Sequence, residues 1–134
     1  MDAIRKVDYY VTQVPNKAGE GARLLSAMRG VNLLALTGFP RGRKSQVDFV
    51  PEDTAAFKAA AKQAKLKLTV KKGAFLVQGD DRPGAVADIM QRLAQAKVNV
   101  TAIDAVAAGM GRWAAILWVE PKDVKKAARA LGAS

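Results

Sequence analysis

Two short turns carry the residue types best suited to bind a ligand. Each turn follows a strand-like segment and precedes a helix-like one: Asn16-Lys17-Ala18-Gly19 in the first half and Asp81-Arg82-Pro83-Gly84 in the second. Proline fixes φ and glycine permits a backbone that other residues avoid, so a helix can begin close to a neighbour or a ligand. The first helical turn then presents N–H groups without partners, and the helix dipole adds to their attraction for an anion. Both turns are candidate anion sites.

An asparagine stands at the head of the strand that follows each of these helices. Asn32 and Asn99 each come second in a Val-Asn pair. The side-chain amide offers both a hydrogen-bond donor and an acceptor, so either residue could contact a polar ligand. Asparagine at a strand start and Pro-Gly in a turn also have purely structural uses, and the sequence leaves both interpretations open.

Cysteine and histidine are both absent from the 134 residues. Their absence excludes thiolate nucleophiles, disulfides, Cys/His zinc sites and Ser-His-Asp triads. The remaining carboxylates form no recognisable catalytic or metal-binding motif. We therefore expect a protein that is not an enzyme and that carries no cofactor.

The chain is strongly basic. Its 22 lysines and arginines against 12 aspartates and glutamates give a formal charge of +10, which attracts acidic or phosphate-rich partners at short range. The basic residues are spread over three regions, around residues 41–44, 58–67 and 122–129, and do not form one tract. Such spacing is typical of solvated helix faces.

Nothing in the sequence indicates a membrane protein. No segment approaches the roughly 18 consecutive apolar residues that span a bilayer. The N-terminal residues 1–6 lack the apolar core of a signal peptide. The expected location is the cytoplasm.

The two halves of the chain repeat the same elements. After each turn glycine comes an apolar stripe at helical spacing, and the stripes superpose with a shift of 65 residues, which also separates Gly19 from Gly84. The stripes consist of Gly21, Leu24, Leu25 and Met28, and of Val86, Ile89, Met90 and Leu93. Because the preceding strand repeats as well, the sequence predicts an internal duplication.

Strand-like segments at 31–36 and 98–103 follow the helices, and after breaker-rich connections the segments 45–50 and 112–119 return. Asp53 and Asp123 are expected to cap a second helix in each half. The first half ends in an alternating segment, 66–70, that has no counterpart in the second half.

This order predicts an α+β protein with two ferredoxin-like βαββαβ modules in tandem, each an antiparallel sheet with its helices on one face. The expected modules are residues 1–72 and 73–134, and the second lacks its last strand. The open sheet edge then needs cover from the first module's last strand, the N-terminal segment or another subunit.

The segment 81–89, with Val98-Asn99-Val100 after the helix, resembles the opening of an ACT domain, a family of amino-acid-sensing regulatory modules. The first half is similar but has Ala18 in place of the proline. The resemblance implies that a free amino acid binds where two modules pack, with the turn, the first helical turn and the asparagine lining the pocket. Carried over by position, the ligand-binding residues are Asp81, Arg82, Gly84, Ala85 and Asn99 in one module, and Asn16, Lys17, Gly19, Glu20 and Asn32 in the other.

Two other functions are compatible with the sequence. A ferredoxin-like sheet on a basic chain could bind nucleic acid, but the exposed aromatic pair that stacks bases on the third strand is missing. The chain could also be an interaction module without a ligand, which forms a homodimer or attaches to a metabolic enzyme. The sequence does not separate this function from amino-acid sensing, nor does it identify the amino acid.

Overall fold

The computed structural model describes residues 2–134. These residues form six β-strands and four α-helices, so the α+β class is confirmed. The strands are β1 (Ala3–Pro15), β2 (Leu33–Arg41), β3 (Lys44–Pro51), β4 (Thr69–Asp80), β5 (Val100–Gly109) and β6 (Arg112–Val119). The helices are α1 (Glu20–Ala27), α2 (Thr54–Gln63), α3 (Ala85–Gln95) and α4 (Val124–Leu131), with a 3₁₀ turn at Pro121–Asp123. No helix in this part of the chain is long and apolar enough to cross a membrane.

The chain divides into two compact units. One, here called the first-half unit, is Tyr9–Lys71; the other, the second-half unit, combines Lys72–Ser134 with the described residues up to Asp8. Strands β1 and β4 each contribute residues to both units. The sequence predicts a module boundary after residue 72, and the two units divide within β4 between Lys71 and Lys72. The sequence gives no sign that residues 2–8 group with the second half.

The first-half unit contains α1, α2 and the neighbouring strands β2, β3 and β1. Both strand pairs are antiparallel, with Tyr10 opposite Phe49 and Leu36 opposite Phe49 on the other side. Its core lies between the strands and the two helices and consists of Tyr10, Leu24, Met28, Val47, Phe49, Phe57 and Ala61. Side chains alternate along a strand, so the residues between these core positions face away from the helices.

The second-half unit contains α3, α4 and the neighbouring antiparallel strands β4, β6 and β5. Its core includes Phe75, Val77, Ile89, Leu93, Leu117 and Leu131, all 2% exposed or less. Ile89 and Leu93 therefore form the inward face of α3, as their spacing indicates. The rest of the predicted stripe does not follow, because Val86 and Met90, like Leu25 in α1, are more than a third exposed.

The turn glycines adopt the backbone that the sequence predicts. Gly19 has φ 87° and Gly84 has φ 82°, and each immediately precedes a helix. An L-residue in this left-handed region is strained, so glycine suits both corners. The strand, turn and helix follow each other at both places.

Two details differ from expectation. In the segment 66–70 only Thr69 and Val70 belong to a strand, because Leu66 and Leu68 instead pack against the first-half core. The predicted cap at Asp53 forms, with its carboxylate 3.1 Å from the backbone nitrogen of Ala56. The cap predicted at Asp123 does not form, since a 3₁₀ turn precedes α4 and places Asp123 in a helical conformation.

The second half has no strand after α4 up to Ser134, as predicted. Of the possible covers for the sheet edge, the N-terminal segment is the one found in this unit. The backbone nitrogen of Ser134 donates to the carbonyl of Ile4 over 3.2 Å, and Lys6 donates to the carbonyl of Ser134 over 3.1 Å. On its other side, the segment brings the carboxylate of Asp2 against Gly79 of β4.

Candidate functional site

A cleft of about 390 Å³ opens beside the start of α3 in the second-half unit. Three parts of the fold form it: the turn before α3 with the first turn of that helix, the C-terminal part of β5, and one side chain of β6. Its lining residues are Asp81, Arg82, Gly84, Ala85, Val86, Ala87, Ala105, Val106, Ala107 and Trp113. Four of the residues predicted to bind a ligand, Asp81, Arg82, Gly84 and Ala85, are thus brought together.

The first turn of α3 supplies backbone donors to this cleft. Ala85 donates to the carbonyl of Arg82 over 3.3 Å, and Asp88 donates to Gly84 over 2.9 Å. Val86 and Ala87, between them, lie in the part of a helix that has no intrahelical acceptor. Gly84 has no side chain that could accept from them, and both residues line the cleft. This corner can therefore bind an anionic group.

The guanidinium of Arg82 is held at the cleft by carboxylates on two sides. It contacts Asp2 at 3.4 and 3.5 Å and Asp88 at 3.3 Å. The hydrogen bonds with Asp2 and then with Asp88 raise the pKa of Arg82 further above its ordinary value. Arg82 therefore remains a cation, but its charge is already balanced by its neighbours.

The carboxylate of Asp81 is available to a ligand. Its backbone nitrogen donates to Gly111 over 2.8 Å, which fixes the turn against the β5–β6 connection. Its side chain is exposed, and within residues 2–134 no side chain bonds to it. A fixed backbone with an unengaged carboxylate can accept from an ammonium group.

Trp113 forms the inner wall of the cleft and is 4% exposed. Its indole Nε1 donates to the carboxylate of Asp2 over 3.2 Å. Trp113 is not among the ligand-binding residues that the sequence predicts. In the pairing of β5 with β6, Ala107 lies opposite Trp113, and both residues line the cleft together with the first residues of α3.

Asn99 does not line the cleft. It is exposed and immediately precedes β5, whereas the cleft contacts residues 105–107, near the other end of that strand. At about 3.3 Å per residue this separation is roughly 20 Å. Asn99 is therefore too far away to contact a ligand in this cleft together with the other predicted residues, and its role in ligand binding stays a prediction.

A smaller cleft of about 300 Å³ occupies the corresponding place in the first-half unit. Gly38, Phe39 and Pro40 line it, and a shift of 67 residues carries them onto Ala105, Val106 and Ala107. Most of its other lining side chains are apolar: Val14, Leu24, Leu25, Leu36 and Val47. The two clefts thus use positions related by one sequence shift, although their chemistry differs.

The predicted residues of the first half do not line this smaller cleft. Asn16 accepts from the hydroxyl of Ser45 over 3.2 Å, and Glu20 pairs with Arg23 at 2.8 Å. The carbonyl of Asn32 accepts from the backbone nitrogen of Glu52 over 3.0 Å. Lys17 and Gly19 belong to the turn itself and are exposed. Their roles in ligand binding stay predictions.

Within residues 2–134, no group of three or more acidic side chains is arranged to hold a metal ion. No protein-family model matches the chain, and no curated protein matches it.

Solved structures, in contrast, share its fold. The protein BT0572 from Bacteroides thetaiotaomicron is similar over 96% of this chain and 88% of that one, with a TM-score of 0.79 at 15% identity. The regulatory subunit of aspartate kinase from Thermus thermophilus, in its ligand-free form, has a TM-score of 0.64 at 18% identity and covers 98% of this chain and 94% of its own. The same subunit from Thermus flavus has a TM-score of 0.57 at 18% identity, with the same coverage of 98% and 94%. The chain therefore shares its fold with these regulatory subunits of aspartate kinase, which supports its resemblance to the ACT family.

Proposed function

We propose that this chain is a regulatory protein, without catalytic activity of its own, that binds a free amino acid in the cleft at the start of α3. One observation carries the proposal: the cleft combines backbone donors at a helix N-terminus with an unengaged carboxylate, Asp81. A free amino acid bears one negative and one positive group at short separation and needs such a pair of partners. The likeness to regulatory subunits of aspartate kinase supports a regulatory role.

In the proposed complex, the α-carboxylate accepts from the amides of Val86 and Ala87, where the helix dipole favours negative charge. The α-ammonium donates to Asp81. The ligand side chain then lies toward Trp113 and Ala107. Because Asp2 and Asp88 already balance the charge of Arg82, we expect the cleft to prefer a neutral amino acid to an acidic one.

The cleft is open to solvent on one side, and the ACT resemblance places the ligand where two modules pack. We propose that the chain consists of two ACT-like modules in tandem and that a module of a second copy closes this side in a homodimer. Asn99, Asn16, Lys17, Gly19, Glu20 and Asn32 remain candidates for contacts in such an assembly.

A thermal-shift screen against the common amino acids tests the proposal. A ligand at one hundred times its Kd stabilises the folded state by about 2.7 kcal/mol, which a melting curve detects. Asp81→Asn should abolish the shift, since it removes the charge that holds the ammonium. Asp80→Asn is the matched control, because Asp80 is the preceding residue and pairs with Arg112 at 2.8 Å outside the cleft. A screen without any shift, or a shift that both variants retain, contradicts the proposal.

A ligand-free interaction module is the second candidate function, and β5 favours it. Val106 is 62% exposed and Met110 is fully exposed, and β5 is paired in its unit on one side only, by β6. An apolar edge strand of this kind can add to another sheet. If the chain is dimeric in solution without any amino acid, if Val106→Lys dissociates it, and if no amino acid shifts its melting curve, this second function holds.

A further inference from the structure

A separate cleft of about 480 Å³ lies on the first-half unit, on the side of the strands away from α1 and α2. Cross-strand pairing shows which side this is. Gln13 lies opposite Gln46, whereas Val47, the next residue along β3, points to the other side and joins the helical core. The cleft is thus remote from α1, and it shares no residue with the cleft at α3.

Four basic side chains line this cleft: Arg41, Lys44, Lys67 and Lys71. None of them forms an ion pair with a carboxylate of residues 2–134. The whole unit is also strongly positive. Residues 9–71 contain eleven lysines and arginines and four aspartates and glutamates, which gives a net charge of +7 out of the +10 of the chain.

A buried polar chain fixes the floor of the cleft. Arg41 donates to the side-chain oxygen of Gln46 over 2.9 Å, and the amide nitrogen of Gln46 donates to Asp48 over 2.9 Å. Gln46 is 7% exposed and Asp48 is 6% exposed. Because both ends of the buried Gln46 amide are hydrogen-bonded, its oxygen holds the Arg41 guanidinium in one position. An isolated surface arginine has no such fixed partner.

We propose that this cleft binds a small phosphorylated molecule. Four cations face at most one carboxylate, Asp48, so a singly charged anion would leave most of the positive charge unbalanced. A phosphate ester carries a charge of about −1.5 to −2 and offers several acceptor oxygens, and arginine and lysine are its usual partners. The cleft also has the size of pockets that take ligands of metabolite dimensions.

The geometry favours a small ligand over a nucleic acid strand. A face that binds single-stranded nucleic acid needs aromatic side chains on which successive bases stack, together with a groove that follows the sugar-phosphate backbone. The lining of this cleft contains no aromatic residue: besides the four cations it consists of Val11, Thr12, Gln13, Gln46 and Thr69. This cleft shares no residue with the cleft at α3, so either binding proposal can be wrong without affecting the other.

Isothermal titration of the full chain with inorganic pyrophosphate, at fixed ionic strength, tests this inference. Lys67→Gln with Lys71→Gln removes two of the four cations and should weaken binding about tenfold or more, corresponding to at least about 1.4 kcal/mol. Lys62→Gln with Lys65→Gln is the matched control. It removes the same charge from exposed positions at the end of α2, outside the cleft, and should leave the Kd within about twofold.

Melting curves of both double variants establish that they are folded, and competition by adenosine monophosphate tests whether the site accepts a phosphate ester as well as a free diphosphate. Three results would overturn the inference: no binding of pyrophosphate by the unaltered chain, equal weakening in both double variants, or binding of single-stranded RNA that neither pyrophosphate nor the nucleotide displaces. The first would leave the amino-acid screen unaffected, so the two proposals are separately decided.

Discussion

Asp2 and Trp113 are joined by a hydrogen bond of 3.2 Å although 111 positions separate them in the chain. The same carboxylate contacts Arg82, so one N-terminal side chain holds both the inner wall and the basic group of the candidate cleft. Its side chain is 8% exposed and that of Arg82 is 41% exposed. The N-terminal segment is therefore part of the structure of the second-half unit and of the site within it.

Replacing Asp2 tests this relationship. Asp2→Ala leaves the buried indole N–H of Trp113 without its acceptor and Arg82 without one of its carboxylates. A buried donor that loses its partner costs about 1–3 kcal/mol, so we expect the free energy of unfolding in urea to fall by that amount. Asp80→Ala, at the exposed pair with Arg112, should cost less than about 1 kcal/mol. Equal losses for the two variants would show that the Asp2 contacts contribute nothing particular.

Gly79 provides a second test of the same contact. A Cβ added at this position would meet the Asp2 carboxylate and would lie 3.0 Å from the indole nitrogen of Trp113. Overpacking of this kind costs about 1–3 kcal/mol, and we expect Gly79→Ala to lower the free energy of unfolding by such an amount.

The double variant Asp2→Ala with Gly79→Ala separates packing from other effects. Removing the carboxylate relieves much of the clash, so the two losses should not add, and the coupling energy from a double-mutant cycle should exceed about 0.5 kcal/mol. Strict additivity would mean that the strand near Gly79 rearranges without involving Asp2.

Much of this fold is predictable because local physics fixes it. The spacing of Leu24 and Met28, and of Ile89 and Leu93, places one stripe of each helix in a core, and all four residues are buried. The glycine of each turn anticipates the left-handed backbone at the helix start. These features depend on neighbours within a few residues, so the sequence displays them directly.

The candidate site was predictable only in part, because its remaining members come from distant positions. The motif Asp81-Arg82-Pro83-Gly84 indicates the corner at α3, but Asp2 reaches it from the other end of the chain and belongs to no motif. A glycine within a strand, Gly79, is the sequence feature that hints at a close approach. Which residue approaches depends on strand order, and that order is not contained in any local pattern.

The buried carboxylate of Asp48 leads to a prediction about pH. Burial raises the pKa of Asp48 above its ordinary value, and the hydrogen bond from Gln46 and the charges of Lys71 and Arg41 only partly oppose this. The folded state therefore binds a proton at Asp48 more tightly than the unfolded state does. The contribution of this group to stability is largest at low pH and is lost as the pH rises through the raised pKa.

Asp48→Asn should consequently stabilise the protein at pH 7. Asparagine is uncharged and can still accept the hydrogen bond from Gln46, and each unit by which the pKa is raised corresponds to about 1.4 kcal/mol. Its advantage over the unaltered chain should shrink as the pH falls through the raised pKa of Asp48 and the carboxylate becomes protonated. Denaturation curves at several pH values measure this difference. Asp8→Asn, at an exposed pair with Lys72, should change stability little at any pH, and a loss of stability in Asp48→Asn at pH 7 would mean that Arg41 and Lys71 stabilise the ionised carboxylate by more than its burial costs.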